Sequence, residues 1–107
     1  MRAAPDAVFR SLADPTRRAI LERLIREGEL TVRAITDESG VSQPMVSKHL
    51  GVLKSAGLVR DRRDGREAHY SAHAKGLAPL VNWMNHYRAF WSARFDRLEN
   101  LLNRMDQ

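Results

Sequence analysis

The chain has 107 residues, 43% of them hydrophobic and 29% charged, which suits one compact domain and excludes both a large multidomain enzyme and a disordered tail. Its 18 Lys and Arg exceed 13 Asp and Glu, and the net charge of +5 favours a polyanionic partner such as nucleic acid. Cysteine is absent, which removes disulfides, thiolate metal sites and thiol chemistry together. No apolar run is long enough to span a bilayer and none follows Arg2, so a cytoplasmic soluble protein is expected.

A first helix is expected to start at Pro5-Asp6 and to lay Val8, Phe9 and Leu12 against the adjoining chain. Asp14-Pro15-Thr16 is a second start, with Asp14 as cap, Pro15 in the first helical place and Ile20, Leu21, Leu24 and Ile25 at helical spacing up to Gly28. Thr31 caps a third helix carrying Val32 and Ile35 and closed at Gly40. Ser42 caps a fourth, with Pro44 in its opening turn and Gly57 beyond its end. At ~100° per residue, Val46, Leu50, Leu53 and Ala56 fall on one side of this helix, and Gln43, Ser47, Lys48, Gly51, Lys54 and Ser55 on the other.

From Leu58 to Ala72 the pattern becomes that of a hairpin, with Asp64-Gly65 as its two-residue loop. Counting outward pairs Arg63 with Arg66, Arg62 with Glu67 and Val59 with Tyr70. The like-charged pair is locally unfavourable unless an anion covers the tip. Beyond it one long helix is expected from about 76 to 105, with Pro79 in its opening turn and Leu77, Leu80, Val81, Met84, Tyr87, Trp91, Phe95, Leu98, Leu102 and Met105 at steps of three and four. Such a helix is ~43 Å long, more than the ~34 Å breadth of a compact chain of this size. It overhangs its own domain, and a second copy of the chain is the economical partner for its apolar stripe.

Three helices, a Gly turn into a capped fourth and a basic hairpin define a mainly α fold with a small β-hairpin, a winged helix-turn-helix. The fourth helix is expected to enter the DNA major groove, which is ~12 Å wide. Gln43 and Ser47 stand where base edges are read, and Lys48 and Lys54 flank them as phosphate contacts. Arg62, Arg63 and Arg66 are expected to bind phosphate or enter the adjacent minor groove. On these grounds residues 1–107 form one unit, about 8–75 being the DNA-binding core and about 76–105 the dimerisation helix. Leu80, Met84, Tyr87, Trp91, Phe95, Leu98 and Leu102 are assigned to that second role.

The chain resembles the ArsR family of bacterial winged-helix transcriptional regulators in Ala13-Asp14-Pro15-Thr16-Arg17-Arg18-Ala19-Ile20-Leu21, in Ser42-Gln43-Pro44-Met45-Val46-Ser47-Lys48-His49-Leu50, in Leu53-Lys54-Ser55-Ala56-Gly57-Leu58-Val59, and in Gly65-Arg66 with Tyr70. The resemblance covers roughly residues 8 to 75. It implies a dimeric repressor on an inverted-repeat operator, with terminal helices at the subunit interface. It also adds Ser42 and His49 to the DNA-proximal residues, although the wheel position of His49 lies toward the inner side of its helix. Many members of the family sense metals through thiols on the third helix. Here that segment reads Leu30-Thr31-Val32-Arg33-Ala34-Ile35, so a metal-independent type with no cofactor is expected.

Two rivals arise from the same residues. A sensor could use His49, His69, His73 and His86, or an effector pocket among Trp83, Tyr87, Phe90, Trp91 and Phe95; alternatively, the aromatic helix could serve a protein-interaction module that lacks specific DNA binding. No nucleophile or metal constellation supports an enzyme. The expected partners are double-stranded DNA and a second copy of the chain, with no membrane.

Overall fold

The computed structural model describes residues 6–106, so Pro5 lies outside them. Helix α1 (Asp6–Ala13) runs into α2 (Pro15–Glu27) through a junction built by the sequence motif itself. Asp14 accepts the backbone N–H of Arg17 at 2.9 Å, and Pro15 takes the first helical place, where no N–H is needed. The guanidinium of Arg17 turns back and donates to the carbonyls of Ser11 at 2.7 Å and Arg10 at 3.2 Å, while Arg18 donates to Leu12 O at 2.7 Å. The last carbonyls of a helix have no partner within it. Two arginines therefore close α1, where no glycine is available.

After Gly28 comes β1 (Leu30–Thr31), which sequence patterning did not reveal because two residues cannot show an alternation. Thr31 does double duty: its backbone pairs in the sheet, and its side chain accepts the N–H of Ala34 at 3.1 Å to cap α3 (Val32–Ser39). Gly40, left-handed at φ 77°, turns the chain into α4 (Gln43–Ser55), capped by Ser42. The wing consists of β2 (Val59–Asp64) and β3 (Glu67–Ala72), and the antiparallel sheet has the order β1-β3-β2.

The register of the wing differs from the sequence expectation. Asp64 pairs with Glu67, Arg63 with Ala68, Arg62 with His69, Asp61 with Tyr70 and Val59 with Ala72, so the two loop residues are Gly65 and Arg66. An Asp64-Gly65 loop of type I′ needs both residues left-handed, and among the described residues only glycines have positive φ. With Gly65 first in the loop at φ 64°, the tip has the pattern of a type II′ turn. The Arg63–Arg66, Arg62–Glu67 and Val59–Tyr70 pairs do not form. Tyr70 instead lies between Asp61 and Leu30, its partner on β1.

The core sits where α1, α2, α3 and α4 meet the sheet. Val46, Leu50 and Leu53 of α4 are wholly buried with Leu24, Ile35, Leu58 and Val59, as the helical wheel predicts. Each such side chain contributes about 1.5–3 kcal/mol of burial. Phe9 is not among them: it is exposed and meets Trp83 edge-on, with ring centroids 5.4 Å apart. Ile25 is exposed as well.

The expected continuous helix of 76–105 is broken. A 3-10 turn (Ala74–Leu77) leads into α5 (Ala78–Asn85), and α6 (Arg88–Met105) follows separately. At the break the N–H of His86 bonds Trp83 O at 3.3 Å and that of Tyr87 bonds Met84 O at 3.0 Å, the tight three-residue bonds that end a helix. Neither Gly nor Pro marks the place, so the apolar spacing runs through it unaltered. Leu77 and Leu80 tie the start of this segment to the core, and Phe9–Trp83 ties α5 to α1. Leu80 thus packs against its own chain.

Gly76 fixes the corner below α5. A Cβ there would collide with the carbonyl oxygen of Gly57 and lie 2.7 Å from its carbon and 3.2 Å from Leu58 Cα, so only glycine permits this approach. Although α6 alone is only ~27 Å long, the molecule is elongated, at 57 × 42 × 20 Å with a radius of gyration of 17.5 Å, against ~13 Å for a compact chain of about 100 residues. No residue of α5 or α6 is fully buried, and Met84, Tyr87, Phe95, Leu98 and Leu102 are exposed.

Candidate nucleic-acid interface

The outer side of α4 carries Gln43, Ser47, Lys48, Gly51, Lys54 and Ser55, all exposed, and the Ser42 cap stands exposed at its head. Ser42 accepts the N–H of Met45 at 3.4 Å, which fixes the first turn and the direction in which Gln43 leaves it. Between this turn, the start of α3 and the wing lies a cleft of about 670 Å³. Gln43, Ser47, Arg63 and Arg66 line it together, although they come from separate elements of the chain.

Strand alternation divides the wing cations between two faces. Arg63 lies on the cleft side with Ala68 and Tyr70. Arg62 lies on the other side, where its Nη2 and Nε reach the Glu29 carboxylate at 2.7 and 2.9 Å. That two-pronged pair holds the Glu29 carboxyl below its usual range, the hydrogen bonds from Arg62 being the main cause, and ties the wing to the residue entering β1. Arg62 is therefore paired within the fold and does not line the cleft with Arg63 and Arg66.

Lys54 is placed similarly. Its Nζ lies 2.9 Å from Asp61 Oδ1, an ion pair that raises the Lys54 pKa and lowers that of Asp61, chiefly through the hydrogen bond between them. It joins the last turn of α4 to β2, at the opposite end of the helix from Gln43. His49 departs furthest from a DNA-proximal place. It is buried on the inner side of α4, where Nδ1 lies 3.5 Å from the Arg17 guanidinium; arginine can only donate, so Nδ1 accepts. His49 thus links α4 to the arginine that closes α1.

Lys48, Arg63 and Arg66 have no carboxylate partner among the described residues. Nor does Arg33, which lines the same cleft from α3 together with Thr31 and Thr36 and which sequence reasoning passed over. One signal could have found it, since a cation two places after a helix cap opposes the helix dipole. Asp37 and Glu67 also stand in the cleft wall.

Among the described residues no three His, Cys, Asp or Glu side chains gather as a metal site. The histidines are dispersed: His49 in the core, His69 on β3 at 3.8 Å from both Glu29 and Glu67, His73 near Arg60, and His86 at the break between α5 and α6. Trp83, Tyr87, Phe90 and Trp91 line an apolar hollow of about 320 Å³, and the Trp91 Nε1 has no hydrogen-bond partner among the described residues. No helix is long and apolar enough to cross a membrane among those residues.

A helix pair presenting a polar, cationic face beside a basic hairpin is the architecture of a winged helix-turn-helix protein, in which one helix and the wing together address a duplex. Comparison with known proteins agrees. The helix-turn-helix domain family matches residues 12–62. The transcriptional repressor SdpR of Bacillus subtilis (strain 168) is 39% identical over 77 residues, 72% of this chain and 84% of the relative. An ArsR-like transcriptional regulator from Rhodococcus sp. RHA1 superposes with a TM-score of 0.69 at 29% identity, covering 90% of each chain. The homodimeric winged helix-turn-helix DNA-binding domain Mb0332 from Mycobacterium bovis, described as a possible ArsR-family regulator, gives a TM-score of 0.62 at 32% identity over 78% of this chain and 77% of that one.

The chain belongs to the ArsR family of winged helix-turn-helix regulators. It is a DNA-binding transcriptional regulator, and that family is not a class of enzymes.

Proposed function

We propose that this protein is a homodimeric, metal-independent repressor that binds an inverted-repeat operator in the cytoplasm, without catalytic activity of its own. Residues of about 8–75 serve as its DNA-binding unit and about 76–105 as its dimerisation segment. The observation that carries this reading is the single cleft shared by Gln43 and Ser47 of α4 and Arg63 and Arg66 of the wing. Gln43 can bond both N6 and N7 of an adenine, and Ser47 can donate to or accept from any base edge. Lys48, Arg63 and Arg66, free of carboxylate partners among the described residues, supply the charge that meets phosphate.

Dimerisation is supported by the exposed row Met84, Tyr87, Phe95, Leu98 and Leu102 beside half-buried Trp91. A second copy would cover these apolar side chains. The Mycobacterium bovis relative is homodimeric, and SdpR is a repressor. Two-fold symmetry then sets half-sites about 34 Å apart, one helical turn.

Selection of bound duplexes from a random library at near-physiological salt, with measurement of stoichiometry, tests the whole reading. A short inverted repeat holding two chains is the expected result. Binding that shows no motif and vanishes as salt rises would favour an interaction module instead. Within the selected operator, Gln43→Ala should relax the preference at particular base pairs, whereas Arg63→Ala should weaken all duplexes alike.

A further inference from the structure

We propose that Arg33 is an additional DNA-positioning residue, gripping from α3 the same sugar–phosphate strand that Arg66 grips from the tip of the wing; this rests on the DNA-binding reading above. The strand that separates a major groove from its neighbouring minor groove must pass between an element in one and an element in the other. In this protein those elements are α4 and the wing, and the space between them is the cleft whose wall includes Arg33 as well as Arg63 and Arg66.

Three features separate Arg33 from an ordinary solvated cation. It is exposed in the cleft wall, not on the outer surface of α3. It follows the Thr31 cap by two places, where the positive end of the helix dipole works against a guanidinium, so the stability of α3 does not explain it. Asp37 stands one turn further along the same helix, the spacing that favours an ion pair, yet no pair between them forms. With Arg63 and Arg66, three guanidiniums line one cleft without carboxylate partners among the described residues. A phosphodiester strand supplies successive anions that can satisfy groups on both walls.

The test is the salt dependence of binding by the full chain, on the selected operator and on a random duplex. Arg33→Ala should lower the slope of log affinity against log salt by about 0.9, one phosphate contact, on both duplexes. The affinity lost between 50 and 200 mM salt then shrinks about 3.5-fold relative to the unaltered protein. Arg33→Lys should keep both the slope and the melting temperature, and Arg33→Ala should not lower the melting temperature, since the guanidinium it removes opposes the helix dipole. In a series of operators each neutralised at one phosphate by a methylphosphonate, one position should lose its effect in Arg33→Ala alone.

If Arg33→Ala keeps the full slope while Arg63→Ala lowers it, the grip by Arg33 is refuted and the DNA-binding reading stands. A changed base preference in Arg33→Ala would also overturn the phosphate role. If the unaltered protein shows no salt-dependent duplex binding, both readings fall together.

Discussion

The two ends of this molecule are finished to different degrees. From α1 to β3 the chain closes on itself, with Val46, Leu50 and Leu53 at zero exposure and helix ends satisfied by Asp14, Thr31, Ser42 and the two arginines 17 and 18. In α5 and α6 no residue is fully buried, and Phe95 and Met105 remain 65% and 71% exposed. The same kind of helical spacing therefore has two outcomes: one apolar stripe meets its own chain, and the other awaits a second surface. Periodicity shows that a helix has an apolar side without showing what that side meets.

The sharpest way to break this contrast is to remove the same side chain from both regions. Leu50→Ala should cost about 2–5 kcal/mol in urea unfolding, whereas Leu98→Ala at a dilution where the chain is single should cost less than about 0.5 kcal/mol. Similar losses at both sites would mean that α6 packs within the chain after all. Gly76→Ala comes next, at about 1–3 kcal/mol, since its Cβ meets backbone that must shift. Leu98→Asp should leave folding of the core intact while sedimentation shows one chain at concentrations where the unaltered protein is paired. A paired Leu98→Asp protein would move the interface elsewhere.

Smaller effects come from the ionic ties of the closed region. The Asp14, Glu29 and Asp61 carboxyls all lie below their usual range, through the Arg17 N–H, Arg62 and Lys54 respectively. A lowered carboxyl pKa stabilises the fold above the unfolded value near 4, and the contribution disappears as pH falls through the lowered folded value. Melting temperature should therefore drop in acid, and Glu29→Gln should flatten part of that limb. Lys54 has the opposite sign: raised by Asp61, its contribution holds below about pH 10.4 and is lost as pH rises through the folded value. The smallest change should come from the wing. Arg62→Ala should lower acid sensitivity yet leave the salt slope of DNA binding unchanged, whereas Arg63→Ala should do the reverse; equal slopes would return Arg62 to the interface.

Much of the closed region follows directly from local chemistry. Asp14-Pro15, Thr31 and Ser42 start helices where capping predicts, Gly28 and Gly40 end them, and the wheel of α4 separates buried from exposed positions. His49 shows the limit, because a conspicuous motif residue turned out to serve the α1–α2 junction through Arg17. A motif records which residues act together and leaves open whether they face a ligand or each other. Arg33 is the complementary case, since its segment draws attention to the thiols it lacks and to the apolar Val32 and Ile35 beside it, not to its one cation.

The sequence by itself determined α2, α3 and α4 with their caps, the polar face of α4, the presence of a basic hairpin and an apolar stripe recurring at helical steps through the last thirty or so residues, because each rests on the spacing of near neighbours along the chain. Only the tertiary structure decided the rest. The register of the wing depends on Gly65 being the residue able to turn left-handed at the tip and on Tyr70 pairing across to Leu30, forty residues away. The halt at His86–Tyr87 is made by 3-10 bonds that no Gly or Pro announces. Which cations beside α4 and the wing stay unpaired depends on where Glu29 and Asp61 come to rest, for these carboxylates take Arg62 and Lys54, and that position exists only once the strands have paired and the helices have packed.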